Sequence, residues 1–316
     1  MSNHSQERTV AITGAGGFVM RGVIEAMLAY GWHIVAIDRA FSQAVRDAWA
    51  TTNVQFIETD AHQLPSLGGV DTLIMGAAIT ASPDEVHLSE EDHYRANVNP
   101  SLHGLEWARK HRVRRVIAVS SSAVYTANEG EVFETNPPTP EGLYAVAKAS
   151  IEWLFTTLHA EHGRDCAVIR LSNIYGEGEV ASVTRPRISL IGQLIEQAIT
   201  TGTIQPLDEP ARDWTLASDV GKALIALIEQ DELSHALYNV ASGQHVTTQE
   251  IALMIQQVLP ELTLNQLVVG SRPLTRRGWL SNQRLQHDTD FADWTTMQEG
   301  LRRAVTVAQQ NLERVV

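Results

Sequence analysis

Hydrophobic positions in the first half of the chain come in short unbroken runs separated by longer amphipathic stretches. The runs are TVAIT (9–13), HIVAID (33–38), VQFIET (54–59), TLIMGAA (72–78), RVIAVSS (115–121) and CAVIRLS (166–172). Such runs, apolar at successive positions and rich in Val and Ile, predict strands buried on both faces of a parallel sheet. Between them lie VIEAMLAYG (23–31), SLHGLEWARKH (101–111) and ASIEWLFTTLHAEHG (149–163). These have apolar residues at helical spacing and end in Gly or His, as helices do. The alternation predicts right-handed crossovers and an α/β fold with a doubly wound parallel sheet.

The rhythm breaks near residue 175. RISLIGQLIEQAITTG (187–202) and TQEIALMIQQVLPEL (248–262) read as helices, with short strands at TIQPL, LYNVA and LVVG. This divides the chain into a domain over 1–172 and a smaller carboxy-terminal α/β lobe over 173–316. The segment around 212–230 is expected to pack back on the first domain. Ligands of open α/β sheets bind at the carboxyl ends of the strands, so a cleft is expected between the two parts.

Composition narrows the partners. The 316 residues are 44% hydrophobic and carry a formal charge of −13, which repels nucleic-acid phosphates and anionic membranes. No apolar run reaches the ~18 residues of a membrane helix. The amino terminus MSNHSQERTV lacks the apolar core of a signal peptide, and the cytoplasm is the expected compartment. The lone cysteine, Cys166, sits in an apolar run and reads as a buried structural thiol. His87, His93 and the other histidines lack metal-ligand spacing and read as surface residues, so no metal is expected. Trp107, Trp153 and Trp214 read as core, and RKHRVRR (109–115) as a solvated helix end complementing the dipole.

After the first strand comes AITGAGGFVMRG (11–22), a glycine turn leading into a helix. Asp38 ends the second strand, placed to accept hydrogen bonds from an adenosine ribose and to repel a 2′-phosphate. A Rossmann-type domain binding NAD follows, while Arg39 leaves NADP open. Gly14 and Gly17 permit the tight turn and the approach of the backbone to a pyrophosphate. Met20 stands where a third glycine normally brings helix and strand together, and Gly16 and Gly22 are expected to relieve the crowding.

The catalytic signal is VSSSAVY (119–125) at a strand end followed by YAVAK (144–148). Tyr144 and Lys148 stand one helical turn apart. An ammonium lowers the pKa of a nearby phenol from its reference value of about 10, which makes a workable proton acceptor. A serine hydroxyl opposite orients the substrate hydroxyl.

Taken with TGAGGF, VAIDR, NVN (97–99), RLSNIYG (170–176), RDWTLASDV (212–220) and YNVASGQHVTTQEIA (238–252), the chain resembles the extended short-chain dehydrogenase/reductases, the NAD-dependent sugar epimerase/dehydratase family. The resemblance runs nearly end to end. It implies Tyr144 as acid/base, Lys148 on the nicotinamide ribose, and Ser121 as the catalytic hydroxyl, with Ser120 and Ser122 beside it. It places Gly14, Gly16, Gly17, Phe18 and Val19 at the pyrophosphate, Asp38 and Arg39 at the ribose, and Asp60 and Ala61 at the adenine. Ala77 and Ala78 would lie against the cofactor, with Asn97 on the cofactor-facing helix. Asn173, Tyr175, Arg212 and Arg272 would serve the substrate. A homodimer pairing the helices near 97–111 and 144–162 is also implied.

The acidic residues that serve elimination or decarboxylation in this family are replaced by Ser122 and Ala123, which sets those branches aside. An epimerase working through a keto intermediate, on a nucleotide sugar, is the leading expectation. Arg212 and Arg272 suit a diphosphate. The loop TIQPLDEPARDW is shorter than in the family and holds Asp208 and Glu209, which keeps open a dehydrogenase of a free sugar or sugar acid. The alternative for Arg212 is a simple ion pair with Asp213 or Asp219. A catalytically silent NAD-bound regulatory protein is the third alternative.

Overall fold

Seven parallel strands form the central sheet of the computed structural model, which describes residues 8–125, 130–269 and 278–315. Thr9–Thr13 (β1), His33–Asp38 (β2), Val54–Glu58 (β3), Thr72–Met75 (β4) and Arg115–Ser121 (β5) are joined by Cys166–Leu171 and Leu237–Val240. The order across the sheet is Leu237–Val240, Cys166–Leu171, β5, β4, β1, β2, β3. Winding reverses between β1 and β4, and the crevice at their carboxyl ends is where such folds take ligands. The strand Leu237–Val240 was expected in the lobe. It instead pairs in register with Val168–Leu171 and extends the main sheet.

Helices cover both faces. Phe18–Ala29 (α1) and Gln43–Trp49 (α2) lie on one side, and Glu90–His111 (α3) and Leu143–His162 (α4) on the other. Leu190–Thr201 (α5), Ala217–Glu229 (α6), Thr248–Val258 (α7), Gln283–Thr289 (α8) and Met297–Val315 (α9) follow. Ser89 caps α3 by accepting the Asp92 N–H at 3.1 Å, and acids in its first turn oppose bases in its last. α6 packs against α1. A Cβ on Gly22 would lie 2.6 Å from the Cβ of Ala217, so the two helices touch nearly backbone to backbone.

The lobe is built on a three-stranded sheet of Asn173–Tyr175, Arg212–Leu216 and Gln244–Val246. Around it Ile195, Trp214, Leu216, Ile251 and Leu301 form a second apolar core among α5, α7 and α9.

Three residues read as exposed or buried from the sequence sit otherwise. His93 is fully buried, its Nε2 2.9 Å from the Ala81 carbonyl. Trp153 is 58% exposed on α4, whereas Trp107 and Trp214 are buried. Arg115, expected in a solvated helix end, is buried and donates to the Leu227, Ile228 and Gln230 carbonyls at the end of α6 while pairing with Asp165 at 2.7 Å. Its cation satisfies carbonyls that have no partner within the helix.

Cys166 is buried as expected, its thiol pushed up to about 11 by desolvation. Among the described residues no helix is long and apolar enough to cross a membrane.

Candidate active site and cofactor cleft

The turn after β1 is shaped by two neighbours. Gly14 adopts φ +70°, and a Cβ there would meet the Ala77 nitrogen at 2.7 Å. Only glycine allows both the left-handed backbone and this approach. Gly17 caps α1 without any side-chain hydrogen bond, so the N–H groups of the first turn, Phe18 and Val19 among them, have no side-chain capping partner. That is a fitting cradle for an anionic pyrophosphate.

Met20 fits because the missing space was moved to β4. Its side chain lies where a Cβ on Gly76 would stand, 2.5 Å from its Cγ and Sδ. Gly76 therefore takes the close-packing part of the third glycine, and the expectation for Gly16 and Gly22 is corrected. Gly16 faces Asp38 and Gly22 faces α6.

Asp38 accepts the Gly16 N–H at 2.9 Å and the Arg39 N–H at 2.7 Å, which fixes its carboxylate at the rim of the cleft. Arg39, Asp60, Ala61, Ala77 and Ala78 line the same cleft. His62 donates its backbone N–H to Asp60 and also contacts it through the ring, holding that carboxyl below the usual range.

Asn97 does not line the cleft. Its amide is spent on the Ile79 N–H at 2.9 Å and on the Ile79 and His93 carbonyls, while Ala96 and Pro100 of α3 face inward. Asn97 thus shapes the wall after β4. Thr184, which the sequence reading did not single out, also lines the cleft, and its carbonyl accepts the Thr80 and Ala81 N–H groups.

At the end of β5 the Tyr144 phenol hydrogen-bonds with Ser121. Burial pushes the phenol up to about 12. Lys148 lies 5.6 Å from the centre of the Tyr144 ring and donates to the Val119 carbonyl at 2.8 Å. Burial brings this ammonium down to about 8, opposed by the field of Glu152. Serine, phenol and amine converge at the carboxyl end of β5.

The model of the NAD-dependent epimerase/dehydratase family matches residues 10–241. The chain belongs to that family. NAD is the family's cofactor, and the glycine cradle, the open first turn of α1 and the Asp38 carboxylate all fit it. Among curated relatives, dTDP-glucose 4,6-dehydratase of Streptomyces griseus is 25% identical over 96% of this chain and 94% of its own. An uncharacterised UDP-glucose epimerase of Bacillus subtilis is 24% identical over 79% of this chain and 81% of its own. The solved UDP-N-acetylglucosamine 4-epimerase of Methanobrevibacter ruminantium superposes with TM-score 0.82 at 23% identity, covering 96% of this chain and 99% of that one.

On the substrate side this epimerase/dehydratase chain departs from several expectations. Tyr175 is buried in the lobe core with its hydroxyl against Gly300 of α9, so it supports packing. Arg212 pairs with Glu209, rather than with Asp213 or Asp219. Arg272 lies outside the described residues. Ser122 and Asn173 meet at a small cavity shared with Tyr125 and Asp213. Asn173 donates to the Asp213 carbonyl at 3.0 Å, and burial pushes the Asp213 carboxyl up to about 7. Among the described residues no acidic or histidine cluster could hold a metal.

The sequence reading missed Glu152 and Arg170. They form a buried ion pair between α4 and the strand beside β5. Glu152 stands at four-residue spacing beyond Tyr144 and Lys148, a periodicity that would have placed it on the same face.

Proposed function

We propose that the protein is an NAD-dependent epimerase that oxidises a secondary alcohol of a nucleotide sugar to a ketone and restores it with inverted configuration. The observation carrying this is the meeting of Ser121, Tyr144 and Lys148 at the carboxyl end of β5. NAD, when bound, supplies the hydride acceptor. Ser121 orients the substrate hydroxyl and Tyr144 takes its proton, then returns it as the alcohol re-forms. A phenol that burial holds near 12 is a poor base at neutral pH, so the Lys148 ammonium must stabilise the phenolate.

Ser122 and Asn173 would hold sugar hydroxyls, and Arg212 with Arg272 the diphosphate. The supporting relatives include the Bacillus subtilis UDP-glucose epimerase and the Methanobrevibacter structure, which contains UDP-N-acetylmuramic acid. One observation favours a second reading, an NAD-dependent dehydrogenase of a free sugar or sugar acid. Glu209 already neutralises Arg212, and Asp208 stands beside it. We also propose a cytoplasmic homodimer through α3 and α4, where Leu102, Val146 and Trp153 are exposed. Sedimentation as a monomer would remove that part.

The test is turnover of UDP-glucose, UDP-N-acetylglucosamine and UDP-glucuronic acid, followed by product analysis. Tyr144→Phe is expected to bind NAD like the wild type and to lose roughly 10²–10⁴ of turnover. A fully active variant sinks the acid/base assignment. Reduced cofactor accumulating in step with product transfers the assignment to the dehydrogenase.

A further inference from the structure

Lys148 is 3% exposed, and burial favours its neutral amine. The chemistry above needs the ammonium. Something buried must therefore hold the charge, and the groups packed around Lys148 can be named. Tyr144 and Glu152 flank it on α4, and the Val119 carbonyl, Ser120 and Ser121 face it from β5. From α3, Tyr94 reaches only Ser150, at 3.0 Å. Among the described residues, Glu152 is the one acid whose field acts on it.

The Glu152 carboxylate is fully engaged. Ser120 donates to one oxygen, Arg170 Nε donates to the same oxygen at 3.0 Å, and the other guanidinium nitrogen donates to the second oxygen. Arg170 is itself fixed. It donates to the Tyr125 hydroxyl and lies 4.5 Å from the centre of that ring, and the hydroxyl donates to the Phe133 carbonyl at 3.0 Å. Arg284, 3.8 Å from Glu134, is the other cation near Arg170. Burial pushes the Glu152 carboxyl up to about 7, opposed by the Ser120 hydrogen bond and the Lys148 ammonium, and the bidentate Arg170 guanidinium favours the ionised form.

We propose that Glu152 is a positioning residue of the site just described. Pinned by Ser120 and Arg170, its buried carboxylate keeps Lys148 an ammonium facing Tyr144. This rests on the acid/base reading for its purpose, though its physical content is independent of it. Stability alone is a weak reason for the pair, because a buried ion pair is often replaceable by apolar residues at no net loss.

The chain has three lysines, Lys110, Lys148 and Lys222. NMR of protein carrying ¹³Cε-labelled lysine can therefore follow the Lys148 titration directly, with the other two as references. The wild-type midpoint is expected near 8. In Glu152→Gln the desolvation of Lys148 is unopposed, so the amine loses its proton at lower pH, by about one unit or more. That is at least a tenfold loss of proton affinity, with Lys110 and Lys222 unmoved.

The single variant strands the Arg170 guanidinium, so Glu152→Gln/Arg170→Gln is measured beside it. The double variant removes both charges and keeps hydrogen-bonding amides. It is expected to fold and to show a smaller downward movement, because removing the more distant Arg170 cation works in the other direction. A Lys148 midpoint at the wild-type value in the folded double variant overturns the proposal and leaves the pair a structural clamp. The titration needs neither substrate nor cofactor. An active Tyr144→Phe would therefore refute the acid/base reading while leaving this result standing.

Discussion

Met20 and Gly76 show how one packing problem is solved at two distant positions. The usual small residue of the helix has been exchanged for Met, and the opposing strand end supplies the glycine. Gly76→Ala is expected to cost ~1–3 kcal/mol in denaturant unfolding, the range for overpacking a full core. In a Met20→Ala background the same change should cost far less. Equal costs in both backgrounds would mean that the two side chains do not meet. Glycine spacing made the loop legible. It could not reveal which residue compensates, because Gly76 is 56 positions away and becomes a neighbour only through β1–β4 pairing. Tyr175 failed for a related reason. It follows Asn173 by two positions along one short strand, and only the arrival of α9 decides that its hydroxyl is sealed against Gly300.

At the scale of elements, the periodicity located the first six strands and most of the helices that cover them. The seventh strand escaped, since Leu237–Val240 is as apolar as a lobe strand and its partner is set by the return of α6 across the sheet. Charged residues inside elements were the other blind spot. Arg115 opens β5 and Arg170 lies within CAVIRL, positions that local pattern reads as solvated or as interruptions. Each proves to be a buried cation tying two elements together. Arg115→Leu removes one donor from each of the Leu227, Ile228 and Gln230 carbonyls and leaves the part-buried Asp165 without its closest cation, and is expected to cost roughly 3–5 kcal/mol. Thermal unfolding reads this, and a loss below about 1 kcal/mol would show that water replaces the guanidinium. Trp153 was read as core from helical spacing, yet it lies on the outer face of α4 with Val146. Spacing finds an apolar stripe without saying which surface covers it.

On the proposed function, hydride chemistry and substrate recognition fall on different parts of the chain. The sheet supplies the glycine cradle, Asp38 and the Ser121, Tyr144 and Lys148 group, and these were legible because each lies at a strand end or on one helical face. The lobe supplies Asn173, Arg212 and the cavity beside Asp213, and here the sequence was least informative. Its short strands pair across 30 residues or more, and Glu209 meets Arg212 only once the shortened loop has folded. An epimerase returns its hydride to the same substrate and gains from keeping its cofactor, whereas a dehydrogenase must exchange it. The central claim is that this cradle, with Met20 in it, holds NAD through turnover. The direct measurement is to denature the purified protein and identify the released nucleotide by absorbance and mass. Stoichiometric NAD is the expected result. A chain that releases no dinucleotide and takes up none when NAD is added would contradict the account at its base.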